Sequence, residues 1–464
     1  MSNVHVHPQV IEKTNEEVTR DILKETYSIG PRYKLALLIF GGLLVLGIVG
    51  FVIRAAKDGF DTYTPWGYLM AAFAFLLTTA MSAPLFSITQ RMVRSHWRRP
   101  LARMSELFAV VGILATLMFI PLILMLPAAK GRRTIWFGWS ATPHVTDMLA
   151  VAFLALLGLA ILYVASLPDL AASRQHATGA RKRLLDRLIF INWKGTDRQW
   201  AVHRAALIAM GAMYFLFLVF VHTIIASDFA EAMVPGWKDA IFPAFQALSG
   251  LQSAVASTVL ALFLLYKLGG VKDYIHRDQF WGASKLLLPL SLLWVYFWFS
   301  GFIIYWYGRQ PVEQHILRTF MFEAYRVPFL LAFFLCFLVP FLILMWNFVR
   351  KSMVGPAIVS VLILFGALFD KIRIYVASFS IADARPEALG DVHPKPLLEV
   401  VKPVLPGFAD VFMVVGAIGG AIFLYLLAMK VVPVISMWEI KEGMLYRRTR
   451  KFLKTHIMVM GKPE

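Results

Sequence analysis

The chain alternates long apolar stretches with short polar ones. Ten stretches of about 20 residues, the length that crosses a bilayer as a helix, fall at 35–54, 66–88, 106–127, 145–167, 205–226, 242–266, 285–307, 327–349, 354–377 and 408–430. None alternates polarity with the period of two of a membrane β-strand. Backbone groups in lipid must be paired within their own segment, so each stretch is expected to be a helix. The expected fold is an all-α polytopic membrane protein with ten transmembrane helices. It comprises an N-terminal segment at 1–34, a membrane domain at 35–430 and a basic tail at 431–464. The first 34 residues contain no early apolar region, so no cleaved signal peptide is expected. Pro84, Pro121, Pro289, Pro340 and Pro356 lie inside spans, where they permit kinks.

Composition agrees with lipid as the solvent. Hydrophobic residues make up 59% of the chain and charged residues 16%, against about 25% charged in soluble domains. The formal net charge of +18 would also suit a nucleic-acid binder, until its distribution is counted. With helix-end residues assigned to the nearer side, both termini and every second connection hold 32 of the 46 Lys+Arg, while acidic residues divide 14 and 14. Positive charge marks the cytoplasmic side, so both termini are expected there and nucleic-acid binding loses its motivation. The basic runs Arg91–Arg103, Arg181–Arg187 and Arg447–Lys454 read as topology signals and contacts to anionic lipids.

Redox chemistry within the chain is restricted. Cys336 is the single cysteine, which excludes an intrachain disulfide and a C-x-x-C-H haem attachment. It also excludes an iron–sulfur cluster ligated by this chain alone. Of eleven histidines only His222 falls clearly within an apolar span, so no haem held by two histidines is expected, and no metal centre.

Charge in lipid costs about 2.5–3.5 kcal/mol per residue on insertion scales, which makes its placement informative. His222 and Asp228 end the fifth span, His144 and Asp147 open the fourth, and Asp370, Lys371 and Arg373 sit in the ninth. Glu323 and Arg326 open the eighth, and Tyr305, Trp306, Tyr307 and Arg309 end the seventh. On the expected orientation all these groups lie in the outer half of the bilayer, which suggests a polar pocket opening towards the outer interface. Asp370 and Arg373, three apart, share a helix face and form either a neutral pair or part of a proton path. His222 is either a satisfied core histidine or the acceptor of a quinol proton, with carboxylates such as Asp228 and Asp147 passing protons to water.

The segments VHTIIASDFAEAMVPGWKDAIFP (221–243), GLQSAVAS (250–257), KDYIHRDQF (272–280) and WYG (306–308) resemble the NrfD/PsrC family of quinone-interacting membrane subunits. Within it, the string and the ten-helix form are most like ActC and ActF of bacterial alternative complex III. The resemblance covers roughly residues 195–380. It implies two four-helix bundles, spans 2–5 and 6–9, with spans 1 and 10 peripheral. It implies quinol or menaquinol as substrate, with electrons passed to a separate iron–sulfur, molybdoenzyme-like subunit on the outer face. A paralogous membrane subunit and haem c subunits would be partners, in a bacterial cytoplasmic membrane. His222 and Asp228 match the family's histidine and aspartate at the end of the fifth span, and Asp147 falls near an aspartate opening the fourth. Asp370–Lys371 stands where relatives carry a Glu-Arg pair in a polar path. The first half departs from the pattern: span 2 (AAFAFLLTTAMSAPLFSIT) contains no histidine, and the segment after span 3 carries Gly131-Arg132-Arg133 without the family's histidine and proline. Those departures point equally to the ActF-like paralogue, a structural and proton-handling partner. The alternatives are the anchor of a polysulfide-reductase-type molybdoenzyme and a stand-alone secondary transporter, whose site would sit near the bilayer midplane.

Overall fold

The computed structural model describes residues 11, 13–125, 139, 143–189, 191–389, 391, 400–452 and 455–460. In chain order its helices are α1 (Asn15–Tyr27), α2 (Pro31–Asp58), α3 (Gly67–Thr78), α4 (Pro84–Met92), α5 (Arg99–Met125), α6 (His144–His176) and α7 (Asp197–Phe229). They continue with α8 (Phe242–Leu268), α9 (Arg277–Gly308), α10 (Arg326–Leu344), α11 (Val354–Lys371), α12 (Ala377–Ala384), α13 (Phe408–Ala428) and α14 (Met437–Leu445). The tail ends in an antiparallel ribbon of β1 (Arg447–Phe452) and β2 (Thr455–Met460), with Arg447 opposite Met460. Among the described residues eight helices are long and apolar enough to cross a membrane: α2, α5 to α10 and α13.

The two remaining apolar stretches depart from single regular helices. Residues 66–88 form α3 and α4, joined by a turn at 79–83. Pro84 has no N–H to give to Ala80, and its ring crowds that carbonyl. It therefore opens α4 instead, at the position where no donor is missed. The turn frees the Met81 carbonyl, which accepts a hydrogen bond from the buried Tyr214 hydroxyl of α7. Residues 354–377 are helical throughout, but α11 widens after Lys371 into a π turn at Ile372–Val376 before α12. The Gly131-Arg132-Arg133 segment lies outside the described residues.

Packing follows the order of the chain. In the first half, α3 lies against α5 and α7, and α6 against the same two. In the second half, α8 and α10 both lie against α9 and α11. Helix α8 also touches α3, α4, α5 and α7, and α3 lies against the π turn, so the halves share one core. Helices α2 and α13 form a glycine-lined pair beside it. A Cβ on Gly47 would lie 2.7 Å from the Gly416 Cα, and one on Gly50 would lie 2.7 Å from the Ala409 carbonyl oxygen. Small residues allow this approach in a membrane, where packing rather than the hydrophobic effect holds helices together. At one end of the pair Arg54 bridges Asp58 at 2.9 Å and the buried Asp410.

The end of the molecule around Arg103 is closed by a buried ionic network. Arg103 meets Glu106 at 3.2 Å and Asp169 of α6 at 3.1 Å, and all three are buried. Arg91 pairs with Glu106 and, at 2.6 Å, with Glu439 of α14. Arg99 reaches Glu442 at 3.4 Å. Asp169 also accepts from the Ser436 hydroxyl at 3.1 Å and the Trp438 N–H at 3.0 Å. The run Arg91–Arg103, expected to meet lipid headgroups, is therefore mostly turned inward, with Arg98, Arg99 and Arg103 buried and Arg94 exposed. Its counter-charges come from α5, α6 and the C-terminal α14.

Burial alone would push the Glu439 carboxyl up, but the Arg91 and Arg98 guanidiniums outweigh it and hold it below the ordinary carboxylate range. A depressed carboxylate stabilises above its unfolded pKa and loses that contribution as pH falls. Glu439→Gln should thus cost about 3 kcal/mol at pH 7, because it takes the carboxylate from the buried Arg98 and one of two from Arg91. Thermal unfolding in detergent should show the deficit shrinking below about pH 4. Gly416→Leu should split α2 from α13 and lower the melting temperature without altering the network at Arg103.

Candidate functional site

His222 lies in α7, buried, where the break between α3 and α4 faces α8. Its Nδ1 is 2.9 Å from the Leu218 carbonyl, one turn back on the same helix. That contact leaves Nε2 as the nitrogen for other work. Nε2 is buried and has no hydrogen-bond partner among the described residues. A Cβ on Gly250 would lie 3.0 Å from Nε2 and 2.8 Å from the Ser82 hydroxyl oxygen. Gly250 thus lets the broken helix, α7 and α8 converge on the imidazole edge.

A polar row continues along α8 from this point. Gln246, Ser249 and Ser253 are buried at helical spacing on one face. The Gln246 amide nitrogen and both serine hydroxyls lack partners among the described residues. Together these groups make a polar strip on one face of a helix whose surroundings are otherwise apolar. Further along, Gln252 donates to the Ser291 hydroxyl at 3.0 Å and the Cys336 carbonyl at 2.8 Å, joining α8 to α9 and α10.

Lys371 closes the row at the other side. It is fully buried, donates to the Gln246 side-chain oxygen, and stands 3.5 Å from Asp370. Asp370 accepts from the Arg373 Nε at 2.9 Å and from its second nitrogen at 2.7 Å. The Arg373 guanidinium also sits over the Phe329 ring, 5.5 Å from its centroid. Lys371 meets α8 at Gln246, one turn from Gly250, where His222 packs. The structure thus brings together four sequence-predicted groups: His222, Asp370, Lys371 and Arg373.

Asp228 and Asp147 are both wholly buried at helix ends. Asp147 sits in the first turn of α6, where the Thr146 hydroxyl donates to it at 3.2 Å. Asp228 ends α7 and lies within charge range of Glu231, which in turn senses Asp239. Sequence reasoning missed Glu231 and Asp239 as site residues, although both lie in the string quoted above. Asp239 caps α8: one carboxylate oxygen accepts from the N–H groups of Ile241 at 2.9 Å and Phe242 at 3.1 Å. Burial pushes the Asp239 carboxyl above its ordinary range, and these two bonds only partly oppose it.

Asp239 also borders a narrow, partly open groove. Aromatic walls from Trp237, Phe242, Phe245, Trp298, Phe302 and Phe320 line it, with Arg373 at the far side. Among the described residues no three His, Cys, Asp or Glu side chains converge into a metal-ligating group. Comparison with models of known families and with curated proteins finds no match to this chain.

A carboxyl whose folded pKa is raised favours folding below its unfolded pKa and loses that contribution as pH rises through the folded value. Asp239→Asn keeps the capping oxygen and removes the buried charge. It should raise the melting temperature at pH 8, with the gain vanishing below about pH 4, where the native carboxyl is already neutral.

Proposed function

We propose that this chain is a membrane subunit of a quinol-oxidising electron-transfer complex of the alternative complex III type. On this reading the broken α3–α4 and the widened α11–α12 also cross the membrane. They complete ten spans arranged as two four-helix bundles, with α2 and α13 peripheral. Both termini lie in the bacterial cytoplasm, and the ends of α7 and α9 face outwards. Electrons pass to a separate iron–sulfur, molybdoenzyme-like subunit docked there, beside a paralogous membrane subunit and haem c subunits. This chain binds the quinol or menaquinol and handles its protons.

The observation that supports this most is the His222 imidazole, whose buried Nε2 has no partner among the described residues and lies against Gly250 and beside Ser82. Quinol oxidation releases two protons with two electrons, so it needs an acceptor on the ring hydroxyl and a relay away from it. His222 suits the first task. Asp228 and Glu231, three residues apart where α7 ends, suit the second as carboxylates able to take up and pass on protons. Lys371, Asp370 and Gln246 extend the same polar system into the second half.

A second reading rests on span 2, which presents Ser82 but no histidine to the cluster. Here the chain is the proton-handling, structural partner of a catalytic paralogue. Turnover with quinol and an electron acceptor, measured on the assembled complex, separates the two. On the first reading His222→Ala and Asp228→Asn each lower turnover by about tenfold or more, with assembly intact. Unchanged turnover in both variants would leave the scaffold reading.

A further inference from the structure

We infer that the aromatic groove beside Asp239 is a binding site for the ring of a lipid-soluble quinol or quinone, separate from the cluster at His222. This rests on the quinol reading above and adds a second place of contact to it. The walls are ring faces brought together from α8, α9 and the turns flanking them. Trp237 lies 4.7 Å from Phe242 and 5.0 Å from Phe320, and Trp298 stacks on Phe302 at 5.6 Å with the planes 13° apart. The first two pairs are tilted by 44° and 48°, so the stacked Trp298–Phe302 pair is the one that offers a flat face to a flat guest.

Three groups able to pair with ring oxygens line the groove: Asp239, Arg373 and Trp298. One Asp239 oxygen is committed to capping α8, and the other faces Gly301, where a Cβ would lie 3.2 Å away. Glycine at 301 therefore keeps the space beside that oxygen open for a hydroxyl donor. Arg373, held by Asp370 and lining the same groove, offers N–H groups to a carbonyl or hydroxyl oxygen. The Trp298 indole N–H is buried without a partner among the described residues and adds a second donor. An acyl chain would use none of these groups, and a phosphate would meet the Asp239 carboxylate.

Access is from the lipid side. Phe299 and Trp306 on α9 and Phe322 beyond it are each 48% exposed on the helix surfaces next to the groove. A guest arriving through the hydrocarbon region therefore needs no aqueous route. Arg373 also connects the groove, through Asp370 and Lys371, to Gln246 and the buried row that leads to His222. The groove and the histidine are thus the two ends of one polar chain.

The test is photolabelling of the full chain in lipid nanodiscs with an azidoquinone carrying a short isoprenoid tail, followed by peptide mapping. The inference expects label on the peptides carrying Trp298, Phe302 and Met321. Unlabelled quinone should displace it, and Asp239→Asn should weaken it about tenfold. Since Asp239→Asn is expected to be the more stable protein at pH 8, a loss there would not reflect misfolding. Label confined to the surroundings of His222 would overturn the inference and leave the quinol reading standing. Groove label displaced equally by a ring-free alkyl chain would overturn it too, making the groove a lipid seat. Label at neither place would overturn both.

Discussion

A charge held away from water must find a counter-charge or its burial is not tolerated. That constraint organises this molecule. Its helices supply apolar surface in excess, yet Arg103, Glu106, Asp169, Asp370, Lys371, Asp410 and Glu439 are all nearly or fully buried. Each sits in a pair or network, and the networks join segments far apart in the chain: Arg91 with Glu439, Arg103 with Asp169, Arg54 with Asp410. Apolar matching alone would leave the register of neighbouring helices loose, whereas a buried pair permits one alignment.

Two kinds of buried polar group follow from this. At the Arg103 end four arginines meet four carboxylates, and the C-terminal helix is held down by Glu439, Glu442 and the capping of Trp438 by Asp169. Those charges are matched, which is the signature of a structural joint. The atoms that lack hydrogen bonds there, such as Arg103 Nη1 and Glu106 Oε2, belong to ion-paired side chains. Among the described residues His222 Nε2, the Gln246 amide nitrogen and the hydroxyls of Ser249 and Ser253 lack hydrogen bonds and belong to no ion pair. Stability is poorly served by such atoms. A site that exchanges protons with a guest has use for them.

Much of the helical layout was legible because an apolar stretch of sufficient length has one outcome in lipid. The eight spans long and apolar enough to cross a membrane lie close to the expected positions. The break at 79–83 was not foreseen, since Pro84 reads equally as a kink or a fresh start; the Tyr214 bond that settles it comes from a helix 133 residues away. The pairing of Asp370 with Arg373 was readable from their spacing, but the bond from Lys371 to Gln246 was not. The run at Arg91–Arg103 was read as a lipid contact because, apart from Glu106 three residues past its end, its acids lie up to 348 residues distant. Asp239 and Trp237 were visible in the string that carries the family resemblance. Their role as groove wall depends on α9 and Phe320 folding over them.

Purification of the chain from its native membrane in mild detergent, with an optical spectrum before and after quinol is added, tests the central claim most directly. The account predicts co-elution with polypeptides carrying iron–sulfur or haem centres whose absorbance changes as quinol is consumed. A colourless chain that elutes alone and moves a solute across vesicle membranes would contradict it.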